Sequence, residues 1–328
     1  MKGIPAIPAV TVEQALKVVG LTLGEVRDLG GSVLTAGPAH LVGSLAGGLG
    51  NEGSDVDVHM LVEGIEKPTP AYLFFAGDTP VDIEHYPAAM PAQLLATADA
   101  FPVKELPLGR VSLAPPPGRR MRRTASRWLN SLPLFPGQAP VFTEEEAARV
   151  LPMVVRSALD QFLVVWAVAR LAERAEPGAD AAAYLFRRAG RELLELRCRA
   201  RGDVLTSEKW LPSRAARLGM DADLVRRHYA VPSEAELTAL LDDTGLAHWD
   251  PWRLTTVRED PGRRTVQLGR EEFALTRHGR VFGDSVTADG SLHEAADALA
   301  PGRLLRALRD AELVLEVSPD AQQEAFDE

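Results

Sequence analysis

The chain has 328 residues, a length that exceeds the usual single domain and implies two or three. Its composition, 46% hydrophobic, 25% charged and only 6% aromatic, is that of a globular protein and favours a helix-rich build. The net charge of −10 argues against extensive nucleic-acid contact, and the single cysteine, Cys198, rules out an internal disulfide and a cysteine-based zinc site.

Met1-Lys2-Gly3 runs into prolines rather than an apolar segment, so no secretory leader is read here. The most apolar run, Phe162 to Leu171, covers about half a membrane span and is bounded by Asp160 and Arg170. A cytoplasmic protein with no membrane association is expected. Residues 11–29 read as one helical layer, with Thr11 and Gln14 in a capping box and Leu16, Val19, Leu23 and Val26 at helical spacing. Residues 39–44, 56–62, 71–76 and 80–86 read as strands, the last two joined by the turn Gly77-Asp78-Thr79-Pro80.

Residues 107–140 are proline-rich at both ends and read as a connector with one short basic helix. Its arginines, Arg119, Arg120, Arg122, Arg123 and Arg127, suit either a solvated face or bidentate contact with phosphate. Thr143 and Glu146 cap a long apolar helix through Trp166, with Pro152 near its start or kinking it. Further helices are expected from about 180 to 201 and from Ser233, capped by Glu236. Residues 250–318 change character: short strands at 265–268, 272–276 and 280–282 with a turn at Gly279, a helix over 301–311 and a strand over 313–317. This is a small α+β module, winged-helix-like as one option, and the tail 319–328 is polar. The expected fold is α+β, divided as a catalytic core (1–135), a helical domain (140–248) and the small module (249–328).

Chemistry concentrates in the core. Gly43-Ser44 leads through a glycine-rich stretch to Ser54-Asp55-Val56-Asp57. On a strand Asp55 and Asp57 face one way, and so do Asp82 and Glu84 on a later strand. Glycines let backbone approach an anion, Ser44 adds a hydroxyl, and Ser54 is a second candidate. The glycines form no P-loop, since no Gly-Lys-Ser/Thr follows. His59 shares the Asp57 face and His85 the opposite one. Both are read as packing or supporting groups, because Mg²⁺ seeks oxygen. Cys198 is read as a structural thiol.

Over residues 31–90 this pattern resembles the polymerase-β-type nucleotidyltransferase superfamily. The helical stretch that follows is similar to that of the small-molecule branch, the aminoglycoside (kanamycin) nucleotidyltransferases. The resemblance implies Mg²⁺ held by Asp55, Asp57 and Asp82, a triphosphate bound by Gly43 and Ser44, and Glu84 acting toward the acceptor hydroxyl. Lys209, in Lys209-Trp210-Leu211, would reach the triphosphate; the other reading is a surface loop. ATP is the expected donor and a small molecule or peptide the acceptor, in antibiotic modification or natural-product biosynthesis, with a homodimer implied by the antibiotic-modifying branch. Protein adenylylation of the antitoxin type and a non-catalytic binding scaffold are the alternatives. Polymerisation on RNA is disfavoured by charge.

Overall fold

In Val56-Asp57-Val58-His59-Met60 every second side chain is apolar, so one face of this strand suits a core and the other polar groups. The computed structural model describes residues 10–99, 118–205, 207–242, 244, 246–247, 249–268, 271–278, 281–282 and 286–317. These divide into two compact units, one of residues 10–99, 118–155 and 197–221, the other of 156–196 and 222–317. The fold is α+β, as expected.

The first unit runs α1 (Val12–Val18), α2 (Leu23–Gly30), β1 (Ala39–Val42), the single-turn α3 (Gly43–Ala46), β2 (Val56–Val62), β3 (Tyr72–Ala76), β4 (Thr79–Pro87) and α4 (Met90–Ala98). It continues with α5 (Arg119–Leu129) and β5 (Leu132–Pro133). The sheet order is β3-β4-β2-β1-β5, with β2 and β4 parallel and the other pairs antiparallel. Val56, Val58, Met60, Val81 and Ile83 point to one side and pack with Leu16 of α1 and Val26 of α2 in a buried core.

The expected helical layer over residues 11–29 consists of two helices. Gly20 takes φ +73, a left-handed conformation that ends the first, and Thr22 with Glu25 forms a second capping box that starts the next. Gly43 and Ser44, expected where a strand runs into a turn, open the single-turn helix α3 after β1. The Gly77 turn is as expected, with φ +60 between β3 and β4. Residues 107–117 of the connector, the Gly279 turn and the tail lie outside the described residues.

α6 (Glu144–Ala175) starts in the first unit on the Thr143–Glu146 capping box, carries Pro152 within its early turns and continues through the second unit. It is the one helix among the described residues long and apolar enough to cross a membrane, and 72% of its most apolar window is buried inside the protein. A helix buried to that extent packs as part of the protein's core. α7 (Asp180–Ala200) ends in the first unit, where α8 (Leu211–Arg217) follows.

Asp203 and Arg214 are fully buried here. Arg214 Nε donates to Asp203 Oδ1 at 3.0 Å, and Arg217 Nε donates to Oδ2 at 2.6 Å. Arg217 Nη1 also donates to the Gly47 carbonyl at 2.6 Å, tying this late segment to the loop after α3.

The second unit adds α9 (Ala222–Ala230), α10 (Glu234–Thr238), α11 (Pro251–Leu254), β6 (Thr255–Glu259), β7 (Arg264–Leu268), β8 (Glu271–Leu275), β9 (Val281–Phe282), β10 (Gly290–Ser291), α12 (Leu292–Leu299), α13 (Pro301–Arg309) and β11 (Leu313–Val317). Two three-stranded sheets form, β10-β6-β11 and β7-β8-β9. Gly190 of α7 lets α9 approach, since a Cβ there would lie 2.2 Å from the His228 carbonyl oxygen.

Removing Asp203 would leave a buried guanidinium without its counter-charge, a loss of about 3–5 kcal/mol. Asp203→Ala is expected to lower the urea midpoint followed by tryptophan fluorescence accordingly. A loss below about 1 kcal/mol would contradict this reading of the cluster.

Candidate functional site

Parallel pairing of β2 with β4 sets Asp57 beside Asp82 and His59 beside Glu84. Neighbouring strands lie about 4.8 Å apart, so both pairs project from the same face, opposite the core. Asp55 stands just before β2 and is exposed. On the other flank Val42 of β1 pairs with Asp57, and the chain turns at Gly43. Gly43 has φ +76, and a Cβ there would lie 2.4 Å from Asp57 Oδ2. Glycine alone meets both demands. Ser44 is half-buried, and its hydroxyl makes no hydrogen bond among the described residues.

The carboxylates crowd one another. Burial pushes the Asp57 carboxyl above its ordinary range, Arg127 opposes the shift, and Asp82, Asp55 and Glu84 push it further up. Asp82 is raised as well, by burial first and then by Asp55 and Glu84, again opposed by Arg127. Arg127 is the counter-charge: Nη2 lies 3.5 Å from Asp57 Oδ1 and Nη1 lies 3.5 Å from Glu84 Oε1. Arg123, one helical turn earlier, is exposed and makes no ion pair among the described residues. Its charge is nonetheless felt at His59.

His59 is buried, and Trp128 Nε1 donates to its Nδ1 at 3.0 Å. An indole only donates, so Nδ1 accepts and the ring proton sits on Nε2. Nε2 lies 3.2 Å from Arg127 Nη1 and 3.9 Å from Glu84 Oε1. With a proton there, the arginine contact is donor against donor, so the carboxylates hold the guanidinium. Burial, then Arg127, Arg123 and His40, lower the His59 pKa to about 3, and the ring is neutral. Tyr86 Oη donates to Glu84 Oε2 at 2.8 Å. Burial first, then the charge and hydrogen bond of Glu84, push the Tyr86 phenol up to about 12.

Asp55, Asp57, Asp82, Glu84, Gly43 and Ser44 therefore share one end of the sheet. Ser54 does not offer its hydroxyl outward. It is buried, accepts from Asn51 N at 3.0 Å and donates to Asn51 Oδ1 at 3.2 Å, so it braces the turn ahead of β2. Lys209 is exposed on a short 3₁₀ turn (Glu208–Trp210), and its ammonium lies 5.0 Å from the Trp210 ring centroid. It makes no ion pair among the described residues. Among those residues no three His, Cys, Asp or Glu side chains are close enough to enclose a metal ion as placed.

Arg127 was marked only as one of five clustered arginines, and Trp128 and Tyr86 had no motif to mark them. Tyr86 sits two residues beyond Glu84, hence on its face, which is the signal available for it. No family model matches the chain, and no curated protein matches it.

Two outcomes test this electrostatic picture. The His59 ring resonances are expected to stay flat from pH 5 to 8 in the Nε2–H tautomer, because the group charges only near its lowered pKa of about 3; a midpoint near 6.5 would contradict the burial described. A carboxyl whose folded-state pKa is raised costs stability above that pKa, and the cost vanishes as pH falls through it. In chelator, Asp82→Asn should therefore raise the melting temperature at pH 7 by about 1–3 °C, with the gain fading in acid. A gain that persists at low pH would have another cause.

Proposed function

We propose that this carboxylate face is the active site of a Mg²⁺-dependent nucleotidyltransferase, moving a nucleoside monophosphate, AMP from ATP, to a hydroxyl of a small molecule or peptide. The observation that carries the reading is the lateral pairing of Asp57 with Asp82, flanked by the Gly43-Ser44 turn. The donor set fits the ion. Its atoms are carboxylate oxygens, which Mg²⁺ prefers. Burial first, and then the neighbouring carboxylates, raise Asp57 and Asp82, and a bound divalent cation would offset both by favouring the charged forms. The missing Cβ at Gly43 leaves Asp57 Oδ2 uncovered on that side. Asp57 and Asp82 would hold the ion, and Asp55, not gathered with them as placed, would close on it as the third ligand; when bound, the ion supplies charge stabilisation to the reacting oxygens of the α-phosphate.

The chain's own groups do the remainder. Ser44 donates its hydroxyl to a phosphate oxygen beside the backbone of Gly43. Arg127 projects its guanidinium toward the same face, suited to bidentate phosphate contact, and Arg123, exposed one turn earlier, adds positive charge nearby. Glu84 Oε1 takes the acceptor's proton as its oxygen bonds to the α-phosphorus, while the bond to pyrophosphate breaks and pyrophosphate leaves. Tyr86 fixes the other oxygen of Glu84 and so orients it. Lys209 is a further phosphate contact in this reading. Cytoplasmic action fits, since nucleoside triphosphates are supplied there, and antibiotic modification and natural-product tailoring are the settings.

The test is incubation with each triphosphate, Mg²⁺ and a mixture of hydroxylated metabolites, read by mass spectrometry. A product heavier by one nucleoside monophosphate residue is expected; no such product with any triphosphate would remove the reading. Asp57→Asn should lower transfer by about 10²-fold or more with the fold intact. Ser44→Ala should raise the Michaelis constant several-fold, as the loss of one hydrogen bond of about 1 kcal/mol implies, and change turnover less. A variant at Asp57 within tenfold of the parent (about 1.4 kcal/mol) would contradict the assignment.

A further inference from the structure

β3 is an edge strand, and its register against β4 sets Leu73 opposite Asp82 and Phe75 opposite Pro80. Residues directly opposite share a face, so Leu73 and Phe75 lie on the carboxylate side of the sheet. Phe74 lies on the other side and packs against the core. Leu73 is 56% exposed and Phe75 is 58% exposed, among the largest exposed apolar groups of the chain. Two such residues two positions apart, both exposed on the face that carries the carboxylates, are unusual in a water-facing strand.

Position across the sheet says what meets them. Reading across the strands, the Gly43-Ser44 turn lies on the β1 flank of Asp57, Asp82 follows, and Leu73 lies beyond it. In an in-line displacement the attacking oxygen approaches opposite the leaving pyrophosphate. If the polyphosphate tail lies at Gly43 and Ser44, the acceptor enters from the β3 side. Strand spacing of about 4.8 Å sets the distance from Asp82 to the shelf.

We infer that Leu73 and Phe75 are the seat for the acceptor's apolar body, so that the acceptor is an alcohol or phenol with an aromatic or aliphatic group within one or two strand spacings of its hydroxyl, not a polycation. This rests on the nucleotidyl-transfer reading for the hydroxyl's fate. An acceptor of this kind covers the exposed pair while its oxygen lies at Asp82 and Glu84. A polycationic sugar would leave the shelf in water.

The test uses the full chain and a double variant, Leu73→Gln with Phe75→Gln, at exposed positions that leave the core intact. Ligand-observed NMR measures binding of 3-phenylpropan-1-ol and of 1,3-propanediol, while a separate titration measures ATP with Mg²⁺. The parent is expected to bind the phenyl alcohol and not the diol, and the variant to bind it about tenfold more weakly with ATP affinity unchanged. Equal binding of the phenyl alcohol by both proteins, or no preference over the diol, would overturn the inference. An equal loss of ATP affinity in the variant would assign the shelf to the nucleobase. A dimer in the parent that the variant abolishes, seen by sedimentation, would assign it to a second copy. Failure of the parent to bind any triphosphate would remove nucleotidyl transfer itself, and the phenyl-alcohol titration would still decide whether the shelf is an apolar seat.

Discussion

Four carboxylates held within a few residues of two paired strands are the constraint on which the first unit is built. The parallel register of β2 with β4 places Asp57 against Asp82, β-strand alternation brings Glu84 to the same side, and Asp55, just before β2, is near enough for its charge to act on both aspartates. Burial, and then their repulsion, raise Asp57 and Asp82 above ordinary carboxyl behaviour. A fold optimised for stability alone would dilute these charges. Keeping them together carries a local cost, as functional positions generally do, and this supports the cation site we propose.

The surrounding residues make sense as responses to that charge. Arg127 reaches two of the four carboxylates at distances longer than a tight ion pair, so it neutralises without sealing them. Trp128, its neighbour on α5, is buried and fixes the His59 tautomer, which ties α5 to β2. Tyr86 engages one oxygen of Glu84 and leaves the other toward Arg127. Gly43 keeps the neighbouring backbone close to Asp57, and Arg217 anchors the following loop at Gly47 from a segment some 170 residues later.

Strands were the most legible part of the fold. Val-Asp-Val-His-Met and Val-Asp-Ile-Glu-His alternate with period two, so the strand positions and the facing of Asp57 and Glu84 follow from sequence alone. The Gly-Ser and Asp-x-Asp spacing marked the site's two ends. The helix break at Gly20 was missed although Thr22 and Glu25 repeat the capping pattern of Thr11 and Gln14, because the apolar spacing ran on across the gap. Long-range placement was not legible. Five arginines in one helix look alike until packing of Trp128 turns Arg127 inward, and nothing local says that residues 197–221 join the first unit. Ser54 was misleading for a similar reason: a serine before an aspartate suits a ligand or a turn equally, and Asn51 decides it.

The central claim is that Asp57 and Asp82 form a nucleotide-dependent divalent-cation site. Mn²⁺ can stand in for Mg²⁺ and is read directly by electron paramagnetic resonance, without any acceptor or turnover. Titrating Mn²⁺ into the full chain with a non-hydrolysable ATP analogue should quench the free-ion signal beyond what the analogue alone removes. A double variant, Asp57→Asn with Asp82→Asn, should remove that additional quenching. Additional quenching of equal size in the double variant, or none in the parent, would contradict the account.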